Sequence, residues 1–202
     1  MKYLLIVLLT ALSMTAKSQP YKGFHLQLGG GIALPNGNNS KNGYLISVEP
    51  KLGLNKTFDV YLRYEAATMV RGFQGRPGTY FSEEAQTIQS IMATGNCTIT
   101  NPAGLRPFVG VGLGIFFVPA VSVGNGGGYW TYGFDNSGIY LGAMIRAGLK
   151  AGRIVLGADY NFIPDSQSSL IASTGGAGSA SLALVNTYLA IKLGIDIGGK
   201  KQ

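Results

Sequence analysis

A chain of 202 residues is enough for one domain with a sizeable buried surface, and nothing in the length requires two. It holds 31 Gly, 11 Tyr and 9 Phe beside 12% charged residues and a single Cys, a mixture that favours strands and turns over helices and excludes a disulfide framework. The net charge of +7 would suit nucleic acid or an anionic membrane surface, but no run of Lys or Arg marks a binding arm, so nucleic acid is set aside.

The first segment reads as an export signal. Lys2 precedes an apolar run at 3–12, and Ala16 and Ser18 supply small residues before Gln19. Residues 1–18 are expected to be a cleaved signal peptide and 19–202 a single domain. The apolar run falls short of the ~20 residues of a membrane-spanning helix. Loss of Lys2 and Lys17 with the signal lowers the charge from +7 to +5. Cys97 has no partner in the chain and is expected to be an inert packed thiol.

Beyond the signal the apolar residues are dispersed by alternation, the period of a strand. A first strand near 22–34 sets Phe24, Leu26, Leu28, Ile32 and Leu34 against His25, Gln27, Gly29 and Gly31. A second, 43–54, sets Tyr44, Ile46, Val48, Leu52 and Leu54 against Ser47, Glu49, Lys51 and Gly53, with Pro50 in mid-strand expected to mark a bulge. A third sets Phe58, Val60, Leu62, Tyr64 and Ala66 against Asp59, Tyr61, Arg63, Glu65 and Arg71. The fourth, roughly 86–100, has faces that do not separate around Ile88, Met92 and Ile99. The fifth, 105–118, sets Val109, Val111, Leu113, Ile115 and Phe117 against Arg106, Gly110, Gly112 and Gly114. In the sixth, Ile139, Leu141, Ile145 and Leu149 oppose Tyr140, Arg146 and Lys150; in the seventh, Ile154, Leu156, Tyr160 and Phe162 oppose Arg153, Asp159 and Asn161. The last, roughly 181–198, sets Leu189, Ile191, Leu193, Ile195 and Ile197 against Tyr188, Lys192, Gly194 and Asp196.

The connections carry a second signal. Those at about 35–42, 72–85, 119–136 and 165–180 are long and rich in Gly, Ser and Asn, whereas those at 55–57, 101–104 and 151–152 are short. Short turns alternating with long loops, with an even strand count, are the layout of an outer-membrane barrel. Strands of about 12 residues exceed the soluble mode of ~5–6, and Tyr21, Tyr44, Phe58, Tyr160 and Phe162 stand where interfacial aromatic girdles would lie. The expected fold is all-β, an eight-stranded antiparallel up-and-down transmembrane β-barrel. A soluble secreted β-sandwich that binds a ligand is the alternative, since alternation alone fits both.

The Gly-rich strands Phe108-Val109-Gly110-Val111-Gly112-Leu113-Gly114 and Tyr188-Leu189-Ala190-Ile191-Lys192-Leu193-Gly194 carry a resemblance. Over essentially all of 20–198 the chain resembles the small outer-membrane β-barrel proteins of the OmpX, OmpW and OmpA-barrel type, and most of all the barrel-domain proteins of Bacteroidetes. The resemblance implies a bacterial outer-membrane location. The chain ends Gly198-Gly199-Lys200-Lys201-Gln202, where many such barrels carry a terminal aromatic residue.

Inside such a barrel a three-residue turn at 55–57 would set Glu49 opposite Arg63 and Ser47 opposite Glu65, and an ion pair is expected there. Arg146 and Asp159 are expected to meet diagonally across the sixth and seventh strands. An eight-strand barrel is only wide enough for side chains to fill it, so Glu49, Arg63, Glu65, Arg146 and Asp159 are expected to form a polar plug, with a narrow pore or a transporter for small solutes or hydrophobic molecules as the alternative. No catalytic, metal or cofactor site is expected: the lone His25 sits at the start of the first strand, away from any nucleophile at the outer rim, and one His with one Cys makes no ligand cluster. Glycine strings at 110–114 and 124–128 lack the spacing and following helix of a phosphate cradle. The loops are the functional candidates. Arg71 and Arg76 are expected to contact lipopolysaccharide phosphates, and Tyr129, Trp130, Tyr132 and Phe134 an extracellular protein or host surface. A structural or surface-interaction role for a monomer is the reading these residues support.

Overall fold

A computed structural model describes residues 24–55, 57–74, 84–99, 104–124, 131–134, 137–171 and 179–198. In chain order the strands are β1 (His25–Pro35), β2 (Lys41–Gly53), β3 (Phe58–Val70), β4 (Phe73–Gln74), β5 (Gln86–Thr98), β6 (Leu105–Val118), β7 (Val121–Gly124), β8 (Thr131–Phe134), β9 (Gly138–Ala151), β10 (Ile154–Phe162), β11 (Ser166–Ile171), β12 (Ser179–Leu184) and β13 (Tyr188–Gly198). The eight long ones pair in the order β1-β2-β3-β5-β6-β9-β10-β13, and β13 closes on β1 from His25↔Gly198 to Pro35↔Tyr188. Every pairing is antiparallel between neighbours in the ring, so the up-and-down barrel expected from alternation is the fold. A sandwich is excluded, because the sheet has no edge to separate two layers.

One end of the ring carries the short connections β2–β3, β5–β6 and β9–β10, and is called the turn end; the other, carrying β1–β2, β3–β5, β6–β9 and β10–β13, is the loop end. The turns follow their residues. Asn55 Oδ1 accepts from the backbone N–H of Thr57 at 2.8 Å and of Phe58 at 2.7 Å, a side-chain substitute for a backbone turn. Between β9 and β10 the turn residues are Gly152 and Arg153, one position later than expected, because Ala151 still pairs with Ile154. Gly152 takes φ 58°, the positive value that a two-residue hairpin demands at its first position.

Three departures from the sequence reading concern the strands. Segment 181–198 is not one strand: 181–184 belong to β12, which pairs with β11 and β4 in a three-stranded sheet outside the ring, and β13 begins only at Tyr188. The long connections are partly sheet as well, since β7 and β8 form a hairpin within the third. Pro50 makes no bulge: β2 holds one register against β3 from Tyr44↔Thr68 to Gly53↔Asp59, with pairs missing at Glu49 and Pro50, where proline has no N–H to give. The register shift lies instead between Lys41 and Tyr44, and spans Gly43, where a β-carbon would collide with the Thr68 carbonyl.

The alternation sorts as a barrel in lipid requires. Arg63, Glu49 and Asp159 are 0% exposed, while Leu62, Val111 and Leu141 on the outer faces are 52, 65 and 74% exposed. Charged groups are enclosed and large apolar side chains point away from the ring, the inverse of a water-soluble protein.

Candidate functional site

The inward positions of five strands converge on a buried charge cluster. Glu49 comes from β2, Arg63 and Glu65 from β3, Arg146 from β9, Asp159 from β10 and Lys192 from β13, all 5% exposed or less. Asp159 is the hub. Its Oδ2 lies 2.8 Å from Arg63 Nη1 and 2.6 Å from Lys192 Nζ, and its Oδ1 accepts from Arg146 Nε at 3.0 Å. Glu49 takes Arg146 Nη1 at 3.2 Å and Lys192 Nζ at 3.2 Å; Glu65 takes Lys192 Nζ at 3.0 Å and Arg63 Nη1 at 3.4 Å. The three carboxylates Glu49, Glu65 and Asp159 thus face the three cations Arg63, Arg146 and Lys192, and each charge has opposite neighbours in a space that water cannot fully solvate.

Neutral groups complete the network. Tyr188 Oη donates to Glu65 Oε1 at 2.7 Å, Arg63 Nη2 donates to Asn161 Oδ1 at 2.7 Å, and Tyr61 Oη donates to Asn96 Oδ1 at 3.0 Å while accepting from Arg146. Towards the turn end Lys51 sits 3.7 Å from both Glu49 and Asp196 and donates to Gln27, and Lys150 pairs with Asp59 at 3.1 Å. Two of the cationic heads lie over rings: the Arg146 guanidinium over Tyr61 at 5.3 Å and the Lys150 ammonium over Phe108 at 5.4 Å.

The residues named from the sequence come together here with different pairings. Ser47 stands opposite Glu65 in the β2–β3 ladder. Glu49 and Arg63 both point inward, but Glu49 binds Arg146 and Lys192 from β9 and β13, whereas Arg63 binds Asp159 across the lumen and Glu65 two residues along its own strand. Arg146 meets Asp159 directly rather than diagonally, because the turn lies one residue later. Lys192 was not among the expected pairs, although it touches all three carboxylates. Its sequence signal is faint: it faces Gly31 on β1 and Gly157 on β10, and two bare neighbours leave a long side chain free to cross the lumen.

No family model matches the chain, and no curated protein matches it. Among solved structures it is similar to Neisserial surface protein A, with a TM-score of 0.54 at 15% identity over 86% of this chain and 96% of that one. Its fold is that of the small outer-membrane β-barrels. Ail, the attachment invasion locus protein of Yersinia pestis, aligns with a TM-score of 0.45 at 11% identity over 88% of this chain and 99% of that one. The N-terminal β-barrel domain of Pseudomonas aeruginosa OprF gives 0.43 at 15% over 86% and 97%.

The interior of this barrel is not polar throughout. At the loop end the inward positions turn apolar: Ala33, Leu45, Ala67, Met69, Ile88, Phe116, Val118 and Ile163 pack into one cluster, with Met92 and Met144 at its lower face against the Arg63 guanidinium. The charge cluster therefore lies beneath an apolar layer. This also explains the indistinct faces of the fourth expected strand: β5 points Ile88 and Met92 inward, and Thr87, Gln89, Ala93 and Gly95 away from the lumen.

The loop-contact candidates divide. Arg71 is not a surface cation: it is 1% exposed, and donates to Asn186 Oδ1 at 2.7 Å and to the Pro119 carbonyl at 2.5 Å. It continues the inward parity of Arg63 and Glu65 beyond the end of β3, which turns it under the loops. Burial lowers its guanidinium to about 10, a shift that Tyr140 opposes, so it remains charged at neutral pH. Asn186 is fixed in turn by the Pro164 carbonyl at 2.7 Å and Ser166 Oγ at 2.9 Å. Tyr132 and Phe134 lie on β8, paired with Val123 and Val121. Arg76, Tyr129, Trp130 and the signal segment 1–18 lie outside the described residues. Among the described residues no group of His, Cys, Asp or Glu could hold a metal ion, His25 is buried at the turn end, and Cys97 is a half-buried free thiol on the outward face of β5.

Proposed function

We propose that the chain is an integral protein of the bacterial outer membrane, exported through its N-terminal signal, with a closed interior and a structural or surface-interaction role rather than an enzymatic one. The observation that carries the reading is the inverted burial: Arg63, Glu49 and Asp159 at 0% exposure inside the ring, Val111 and Leu141 at 65 and 74% outside it. An apolar exterior of that extent is stable against hydrocarbon and unstable in water.

The closed interior is supported by the mutual satisfaction of Glu49, Glu65, Asp159, Arg63, Arg146 and Lys192 and by the apolar cluster above them. With the short turns and the N-terminus in the periplasm, the four loop-end connections would face outward. Arg76 would meet lipopolysaccharide phosphates, and the aromatic segment with Tyr129, Trp130, Tyr132 and Phe134 an extracellular protein or host surface. Arg71 is withdrawn from this role by its burial.

Membrane fractionation with a heat-dependent shift in gel mobility tests the location: recovery in the soluble fraction without detergent would reject it. Planar-bilayer recording tests the closed interior, with no regular conductance steps expected. Regular steps would favour the second reading, a narrow pore, for which the row of charges across the lumen is the motivating feature. Deleting 122–134 is expected to abolish binding to cell-surface partners while leaving the heat-dependent shift intact.

A further inference from the structure

The inward faces of the strands change character at one height. On β3 the sequence from the turn end is Asp59, Tyr61, Arg63, Glu65, then Ala67 and Met69; on β2 it is Lys51, Glu49, Ser47, then Leu45; on β13 it is Asp196, Lys192, then Ala190 and Tyr188. The ladders align the change. Ser47, Glu65 and Ser90 are register neighbours across β2, β3 and β5, and the next inward row is Leu45, Ala67 and Ile88.

Below that height buried polar atoms without a partner among the described residues occur on several strands, Ser47 Oγ on β2, Arg63 Nε on β3 and Asn161 Nδ2 on β10 among them, and they are most numerous on β5. Ser90 Oγ, Thr94 Oγ1, Asn96 Nδ2 and Thr98 Oγ1, all on the inner face of β5 and all in residues 5% exposed or less, have no hydrogen-bond partner among the described residues. Beside them β6 presents Gly110 and Gly112, opposite Asn96 and Thr94. Four buried polar groups on one strand face, with Met92 between Ser90 and Thr94, are left unsatisfied by protein atoms, and two of them, Thr94 and Asn96, face glycine. Groups of that kind are normally paired, by water where protein supplies nothing, and water requires two to four polar partners. The charge cluster next to them supplies the others. Above Ser90 the apolar row offers no partner, and a constriction of that character excludes water by dewetting.

We propose that the lumen is a one-sided aqueous vestibule: water enters at the turn end, follows the β5 row as far as Ser90, and stops at the Leu45–Ala67–Ile88–Phe116 layer, which is the permeability barrier in place of the salt-bridge cluster. This rests on the closed-barrel reading and names what closes it. The vestibule accepts water from one side only.

The test compares single-channel recordings of the wild type, of Glu49→Ala/Arg146→Ala, which thins the charge cluster, and of Ile88→Ala/Phe116→Ala, which thins the apolar layer, each first shown folded by its heat-dependent mobility shift. Expected are silence from the first two and resolved conductance steps from the third. A silent wild type with a silent apolar-layer variant, or with a conducting charge-cluster variant, overturns the vestibule and leaves the closed reading intact; a conducting wild type overturns the closed reading itself. Hydroxyl-radical footprinting of the wild type needs no variant to fold. Tyr61 and Phe116 are both aromatic and both buried, at 5 and 0% exposure; oxidation of Tyr61 with Phe116 protected is expected, and equal or reversed oxidation counts against the vestibule.

Discussion

Arg146 stands directly opposite Asp159 in the β9–β10 ladder, and its Nε lies 3.0 Å from the Oδ1 of that carboxylate. Local strand pairing positions the two, yet the same carboxylate also holds Arg63 from β3 and Lys192 from β13. One residue thereby connects strands on opposite sides of the ring.

Asp159→Asn is expected to be the most damaging single change in the cluster. It leaves three cations short of a shared partner in a space that solvates them poorly, and removing one member of a buried pair costs about 3–5 kcal/mol. Asp59→Asn is expected to cost less, because among the described residues it pairs with Lys150 alone, nearer the turn-end mouth, where Lys150 is 11% exposed. Urea unfolding in lipid vesicles gives both values. Adding Lys192→Met to Asp159→Asn is expected to recover part of the loss, since the pair shares one interaction; simple additivity would show that the two are not coupled.

The ring was legible where side-chain size and parity agree. On β3, Phe58, Val60, Leu62 and Tyr64 alternate with Asp59, Tyr61, Arg63 and Glu65, so one face can only be apolar. On β5 the parity is equally strict, but the apolar layer places Ile88 and Met92 inward while Gln89 and Gly95 point outward, and a two-letter pattern cannot register an interior that changes character with height. The same blindness hid the break before β13: the apolar run ends in Leu184 and Val185, both buried, only two residues short of the ring, so the sequence shows little interruption where one sheet ends and the other begins. Of the cluster, the members on adjacent strands were legible through turn length. Lys192 was not, because its partners Glu49 and Glu65 lie on β2 and β3, at distances that only closure of the ring fixes, and Asp159 on the neighbouring β10 is reached only diagonally, across a long connection.

Arg71 ties together three loop-end connections, through its own segment after β3, the Pro119 carbonyl after β6 and Asn186 before β13. Arg71→Ala leaves the Asn186 and Pro119 oxygens without their donor, and the charge-assisted bonds it removes are worth about 1.5–3 kcal/mol each. Because these bonds join loops and not barrel strands, limited proteolysis near 119 and 186 is expected to accelerate while the heat-dependent mobility shift persists. Loss of that shift would mean that Arg71 supports the ring itself.

Gly152 occupies the left-handed region at φ 58° with no atom within 4 Å of where a β-carbon would stand. Space is therefore not its constraint; backbone conformation is. Gly152→Ala is expected to cost about 1–2 kcal/mol, and Gly152→Asn less, since Asn tolerates this region. Equal stability of Gly and Ala by urea titration would place the turn in another conformation.

Val111 and Ile139 separate a membrane barrel from an unusually greasy soluble one. Both are well exposed, at 65 and 70%, and both point away from the ring. Val111 lies in the middle of β6, whereas Ile139 is the second residue of β9 at the loop end. In water Val111→Arg and Ile139→Arg would each be nearly neutral, because an exposed position accepts a charge. In a bilayer the cost depends on depth: about 2–4 kcal/mol for arginine near the midplane, falling to about 0–1 near the interface. The expected result in vesicles is a large loss for Val111→Arg and a small one for Ile139→Arg. A small loss for both would place the exterior in water and leave Arg63, Glu49 and Asp159 enclosed for some reason other than lipid.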